Sequence, residues 1–270
     1  MKEILENIIQ NKNKQFFLIA GPCFAESEDV CNEVADYVST VCNKLNIPYI
    51  FKASYRKANR SRIDSFAGDD DISRLELISN IAKKHNLPVT TDIHSDEEAA
   101  IAAAYVDILQ IPAFLCRQTS LLVAAAKTNK VVSIKKGQFM SPEAMEHAVE
   151  KVRKSGNDNV WLIERGTTFG YQDLVVDYRG IPTMQKFNVP VIMDCTHALQ
   201  QPNQMSGVTG GRPDLIPTIA KAAIAIGTDG LFIETHPNPS KALSDGANML
   251  PLHELRPLLE KLCKIREAIQ

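Results

Sequence analysis

The sequence predicts an α/β fold, a (β/α)8 TIM barrel with a short N-terminal extension, in which residues 1–270 form one barrel domain. Three observations carry this reading. Eight short apolar runs recur along the chain, and each is followed by a stretch with the punctuation of a helix. The runs are almost continuously apolar rather than alternating, as strands covered on both faces of a parallel sheet must be. The length, 270 residues, is typical of a closed barrel of this kind. An open doubly wound sheet is the competing architecture. Against it, no G-x-G-x-x-G follows any run and no shift in composition marks a domain boundary.

After a polar N-terminal lead, residues 16–20 (F-F-L-I-A) form the first strand, ending at G-P-C. The helix after it starts at Ser27, with Glu28 and Asp29 in the first turn, where acids suit the dipole. Residues 48–53 are the second strand and run into a basic segment; a helix covers 72–86. The third strand is 88–93, and Ser95 followed by Glu98 has the spacing of a capping box for the next helix. The fourth strand is 108–111, with a helix over 119–128, and the fifth is 131–135. The following helix has Ser141 as N-cap, Pro142 in the first turn and Gly156 just beyond its end. The sixth strand, 160–165, leads into a longer excursion containing L-V-V-D-Y. The seventh is 190–196, and a Gly-rich loop, S-G-V-T-G-G-R-P, precedes a helix over 213–226. The eighth strand, 230–235, and a helix over 251–269 close the chain.

Composition narrows the partners. Thirty basic against 32 acidic side chains give a net charge of −2, which offers no general attraction to nucleic acid or an anionic membrane. The start, M-K-E-I-L-E-N-I-I-Q, does not read as a secretory signal, and no apolar run reaches membrane-span length. Six scattered cysteines without a C-x-x-C pair read as reduced, mostly buried thiols of a cytoplasmic protein.

Against that near-neutral background, residues 51–62 (F-K-A-S-Y-R-K-A-N-R-S-R) hold five cations, Lys52, Arg56, Lys57, Arg60 and Arg62, interleaved with Ser54, Asn59 and Ser61. Such a run is commonly a solvated face. Here an apolar strand runs straight into Lys52, which favours an anion site beside the core. In a barrel the active site lies at the carboxyl ends of the strands. Those ends carry Cys23, Lys52, Asp92 with His94, Gln110, Lys135 with Lys136, Glu164 with Arg165, Asp194 with His197, and Glu234 with His236. Lys52, Lys57, Lys135 and Arg165 form one subset, suited to a small polyanion. Cys23, His197, Glu234 and Asp245 form another, one sulfur, one nitrogen and two carboxylates, suited to a divalent ion such as Fe2+, Zn2+ or Mn2+. Taken alone, Cys23 fits buried core filler equally well.

The motifs A-G-P-C (20–23), K-A-N-R-S (57–61), T-T-D-I-H (90–94), Q-I-P-A-F-L-C-R-Q-T (110–119), K-K-G-Q-F (135–139), E-R-G-T-T-F-G-Y (164–171), D-C-T-H-A-L-Q (194–200) and E-T-H-P-N-P (234–239) resemble the 3-deoxy-D-manno-octulosonate 8-phosphate synthases over essentially the whole chain. The related 3-deoxy-D-arabino-heptulosonate 7-phosphate synthases share the barrel and G-P-C but usually carry K-P-R-[TS] where this chain has K-A-N-R-S. Cys23, where the metal-free branch has Asn, and Ser244-Asp245, where it has C-D, resemble the metal-dependent branch.

The resemblance implies condensation of phosphoenolpyruvate with D-arabinose 5-phosphate and water for lipopolysaccharide biosynthesis. It places phosphoenolpyruvate on Lys52, Lys57, Gln110, Ala113, Lys135 and Arg165, and the sugar phosphate on Asn59, Arg60, Ser61 and Gln200. Phe114 and Arg117 complete a neighbouring subunit's site in a homotetramer. Cys23, His197, Glu234 and Asp245 hold the metal, and Asp92, His197, Lys57 and Cys23 form the catalytic set. Arg62 departs from the family, where a small residue is expected. Three other readings stay open: the heptulosonate synthase, a Schiff-base aldolase using Lys135 or Lys52, and a non-catalytic sugar-phosphate-binding barrel.

Overall fold

The computed structural model describes residues 2–9, 15–59, 67–68, 70–171, 173–202, 204 and 209–270. Eight parallel strands pair in chain order: β1 (Phe17–Gly21), β2 (Tyr49–Lys52), β3 (Val89–Asp92), β4 (Ile108–Ile111), β5 (Val131–Lys135), β6 (Val160–Glu164), β7 (Val191–Asp194) and β8 (Gly230–His236). β8 returns to β1 in parallel register, Phe17 opposite Gly230 and Gly21 opposite Glu234, so the sheet closes into the expected barrel. The helices are α1 (Lys2–Ile9), α2 (Glu28–Leu45), α3 (Asp71–Lys84), α4 (Asp96–Ala103), α5 (Thr119–Lys127), α6 (Glu146–Lys154), α7 (Gly180–Gln185), α8 (Ile216–Ala225) and α9 (Leu252–Ala268). One helix follows each barrel strand. Ser27 caps α2 as its sequence indicates, accepting from Val30 N at 3.2 Å.

The barrel interior shows why the polar strand ends converge. Side chains alternate along a strand, so residues two apart share a face. Ile50, Ile108, Ile163, Ile192 and Phe232 pack together inside the barrel with Ile19 and Trp161. Two residues further along the same inner face stand Lys52, Gln110, Arg165, Asp194 and Glu234. The apolar floor thus fixes five polar side chains at one mouth. Each fully buried floor side chain contributes on the order of 2 kcal/mol. At the other end Phe17 and Trp161 pack with ring centroids 5.2 Å apart. Gly21 is required where β1 meets β2, since a Cβ there would fall 1.8 Å from the Lys52 carbonyl oxygen.

Three details depart from the sequence reading. The N-terminal lead forms α1, whose Ile8, with Ile4 and Leu5 beside it, packs on the interior cluster at the amino ends of the strands. Ser95 makes no side-chain cap bond. Glu98 instead accepts from His94 N at 2.8 Å and from Tyr55, so tertiary partners have displaced the capping box. Leu174 and Val175 of L-V-V-D-Y belong to one arm of an antiparallel hairpin pairing Thr167–Phe169 with Asp173–Val175. All six cysteines are free and buried. No described helix is long and apolar enough to cross a membrane.

Candidate active site at the carboxyl ends of the strands

The strand ends surround a solvent-open cleft of about 550 Å³ whose lining includes Lys52, Lys57, Asn59, Asp92, Gln110, Ala113, Phe114, Lys135, Arg165, His197, Gln200, Glu234 and Asp245. A larger cavity, about 780 Å³, lies at the amino ends beneath α1, but among the described residues Asp229 is the only charged one in its lining. The chemistry is therefore at the mouth. Arg117 is exposed and outside the cleft lining, while Arg60, Ser61 and Arg62 lie outside the described residues. Gln200 pairs with Gly211 in a two-stranded ribbon at the rim.

Two of the cations, Lys52 and Lys135, are paired directly with acids. Lys52 Nζ donates to Glu234 Oε1 at 2.8 Å and to Ser54 Oγ at 3.0 Å. Lys57 Nζ donates to the same hydroxyl at 3.0 Å, and Ser54 passes its own proton to Asp92 Oδ1. Ser54 thus accepts twice, donates once, and ties both lysines to Asp92. Lys135 Nζ lies 2.6 Å from Asp194 Oδ2 and 3.9 Å above the Phe232 ring. Burial pulls the Lys135 pKa down, while Asp194 opposes that pull. Arg165 donates to His197 O and Gln200 Oε1, both at 2.8 Å, and its buried Nε has no partner. Arg56, by contrast, turns away to Asp71 and Glu98, at 3.3 and 3.1 Å.

Three of the four residues of the second predicted subset, Cys23, Glu234 and Asp245, gather beside the lysines, and His197 stands against Glu234 outside that group. Ligand atoms of Cys23, Glu234 and Asp245 lie within 4.8 Å of one another. Cys23 Sγ is 3.3 Å from Asp245 Oδ2 and 3.2 Å from Ser244 Oγ. His197 Nε2 is 3.6 Å from Glu234 Oε2. Its Nδ1 lies 2.8 Å from Asp194 Oδ2 and donates there, which leaves the Nε2 lone pair facing Glu234. Glu234 Oε2 is buried with no hydrogen-bond partner. An orphaned carboxylate oxygen among a thiol, an imidazole and a second carboxylate is a costly arrangement unless a cation completes it, so the donor set fits a divalent metal. Burial, then the charge of Glu234, pushes the Cys23 thiol far above its ordinary pKa. A bound cation would displace that proton.

His94 extends the site outward. Its Nε2 lies 3.1 Å from Asp92 Oδ2 and its Nδ1 3.2 Å from Glu98 Oε2. Burial alone would lower its pKa, but bonds to Asp92 and Glu98 outweigh burial and raise it to about 9. The folded-state value exceeds the unfolded value of about 6.5, so the protonated imidazole stabilises the fold fully below that pH. The contribution disappears as pH rises through about 9. The urea midpoint of the wild type should exceed that of His94→Gln most at pH 6, with the gap shrinking across this window. A pH-independent gap would show that His94 is neutral.

Sequence reasoning undervalued Ser54, His94, Asp194 and Phe232. Asp194 was legible, since D-x-x-H puts carboxylate and imidazole three residues apart just beyond a strand. Phe232 was legible from alternation with Glu234.

Comparison with known proteins places the chain in a family. The family model described as the DAHP synthetase I family matches residues 2–270. The chain belongs to that family. Within it, the chain is 53% identical over 258 residues to a 2-dehydro-3-deoxyphosphooctonate aldolase of Koribacter versatilis, covering 94% of this chain and 92% of the relative. Proteins of the same name from Desulfotalea psychrophila and Fusobacterium nucleatum are 49% and 47% identical, each over 264 residues, covering 98% of this chain and 94% and 95% of theirs.

Proposed function

We propose that this chain condenses phosphoenolpyruvate with D-arabinose 5-phosphate and water, giving 3-deoxy-D-manno-octulosonate 8-phosphate and inorganic phosphate, a step that supplies lipopolysaccharide synthesis. One observation carries the reading: a single barrel mouth joins Lys52, Lys57, Lys135 and Arg165 to a thiol and two carboxylates arranged for a cation. The names of the relatives above agree with it. Their shared name also outweighs the heptulosonate reading that the family description admits.

Two anionic substrates repel each other, so the four cations must both bind and screen them. Lys52, Lys57, Gln110, Ala113, Lys135 and Arg165 are assigned to phosphoenolpyruvate. Asn59, Arg60, Ser61 and Gln200 are assigned to the sugar phosphate. C3 of phosphoenolpyruvate attacks the aldehyde carbon, whose oxygen takes a proton. C2 becomes cationic and adds water, which loses a proton, and C–O cleavage releases phosphate. Cys23, His197, Glu234 and Asp245 would hold a divalent ion (Fe2+, Zn2+ or Mn2+), which would supply Lewis-acid polarisation there. With Nδ1 held by Asp194 and Nε2 turned to the cradle, His197 orients, and proton transfer falls to Asp92. Lys57 and Cys23 complete the catalytic set, as cation and ligand.

We place the protein in the cytoplasm as a homotetramer in which Phe114 and Arg117 reach a neighbour's sugar-phosphate site. Phe114, 44% exposed beside the cleft, is free to meet another copy there. Sedimentation should give four chains per particle; a monomer would remove both residues from the site.

A phosphate-release assay tests the function. Release with phosphoenolpyruvate plus arabinose 5-phosphate, and far less with erythrose 4-phosphate, is expected. The reverse preference would assign the heptulosonate reaction. Tight binding without release would make this a binding protein.

A further inference from the structure

We propose that Glu26 and His236 form a clasp that positions the metal ligands, an inference that rests on Cys23, Glu234 and Asp245 being those ligands. Glu26 Oε1 lies 2.6 Å from His236 Nε2, and Glu26 Oε2 accepts from Leu243 N at 2.9 Å. Asn238 N donates to His236 Nδ1 at 2.9 Å. That bond makes Nδ1 the acceptor, so the Nε2 proton is the one given to Glu26. The side chains are 11% and 4% exposed, which makes the bond a sheltered one.

What the clasp joins gives it a role. Glu26 is three residues beyond Cys23, His236 two beyond Glu234, and Leu243 two before Asp245. One carboxylate therefore ties together the three segments that carry the three ligands, without touching a ligand side chain. The segment bearing Asp245 needs such a tie. Asp245 has φ 50°, in the left-handed region, and a Cβ on Gly246 would fall 2.2 Å from Pro239 O. This tightly wound loop fixes its own shape, yet its placement over the barrel depends on bonds to other segments. Glu26 provides one from the β1 side. Outer bonds that orient ligands commonly change metal affinity 10- to 100-fold when lost.

The test is Co2+ titration of the full-length, metal-stripped protein, following the ultraviolet thiolate-to-cobalt band, with melting temperature of the metal-free protein measured in parallel. The wild type should bind one Co2+ per chain with that band. Glu26→Ala and His236→Ala should bind at least about 10-fold more weakly. His236→Gln, which keeps a donor near the Nε2 position, should recover most of the affinity. If Glu26→Ala does not fold, Glu26→Gln, able to accept from only one of its two partners, is titrated instead. Variants that melt earlier yet keep the wild-type Co2+ affinity would overturn the clasp, leaving it a structural bond. A wild type without the thiolate band would instead overturn the ligand assignment and the clasp with it.

Discussion

Lys135→Met is expected to lower kcat/KM for phosphoenolpyruvate by about 10²- to 10³-fold, the cost of removing one preorganised donor from a water-poor site. Lys135 is held on two sides, by Asp194 at 2.6 Å and by the Phe232 ring at 3.9 Å. Its charge is therefore fixed before substrate arrives and costs no reorganisation. Methionine fills the volume and removes the charge, leaving fully buried Asp194 to His197 and the Thr196 N–H, with no cation hydrogen-bonded to it. Lys135→Arg should not rescue activity, because a planar guanidinium cannot occupy a niche shaped for a point charge over a ring. Urea denaturation of the same variants separates lost binding from lost fold. A kcat/KM within threefold of the wild type would remove Lys135 from the anion site.

The barrel was readable because its determinants are local. Val131–Lys135 is apolar except for Ser133 before its terminal lysine, and its bounds come out as read from the sequence. Gly156, with φ 91°, sits where a helix stop was expected. What escaped depends on distant partners. The stripe of Ile4, Leu5 and Ile8 has meaning only once the barrel offers a floor to cover. Glu98 has capping-box spacing, yet Tyr55 and His94 claim it. Local propensity worth about 1 kcal/mol yields to buried, charge-assisted bonds of comparable or greater strength.

The site was readable as a set of residue types and less so as a charge distribution. Counting cations in 51–62 suggested an open positive mouth. In the structure Lys52 is neutralised by Glu234, 182 residues away, and Arg56 faces Asp71 and Glu98. Acids on remote strands are invisible to a count within one segment. The alternation that puts Lys52 above Ile50 also puts Glu234 above Phe232. Two such inner-face polar residues on strands that both flank β1 could have been paired from the predicted strand order.

That pairing makes Glu234 the joint between the two halves of the site, and it sets the second large expectation. Chelation should lower turnover by at least about 10²-fold, and adding Mn2+, Zn2+ or Fe2+ should restore it. Glu234 gives Oε1 to Lys52 and leaves Oε2 without a hydrogen bond, 3.6 Å from His197 Nε2, in a group with Cys23 and Asp245. Without a cation, Glu234 holds Lys52 and Asp194 holds Lys135, and the mouth that must accept two phosphorylated substrates stays nearly neutral. Two added positive charges draw that acidity away from Lys52 and Lys57. Cys23→Asn should then weaken metal binding, because a carboxamide replaces a thiolate, while retaining measurable turnover as in the metal-free branch that the sequence resembles. Metal analysis beside the phosphate-release assay checks both effects. Full activity in demonstrably metal-free wild type would take Cys23 out of the catalytic set and leave the orphaned oxygen of Glu234 to a substrate hydroxyl or water.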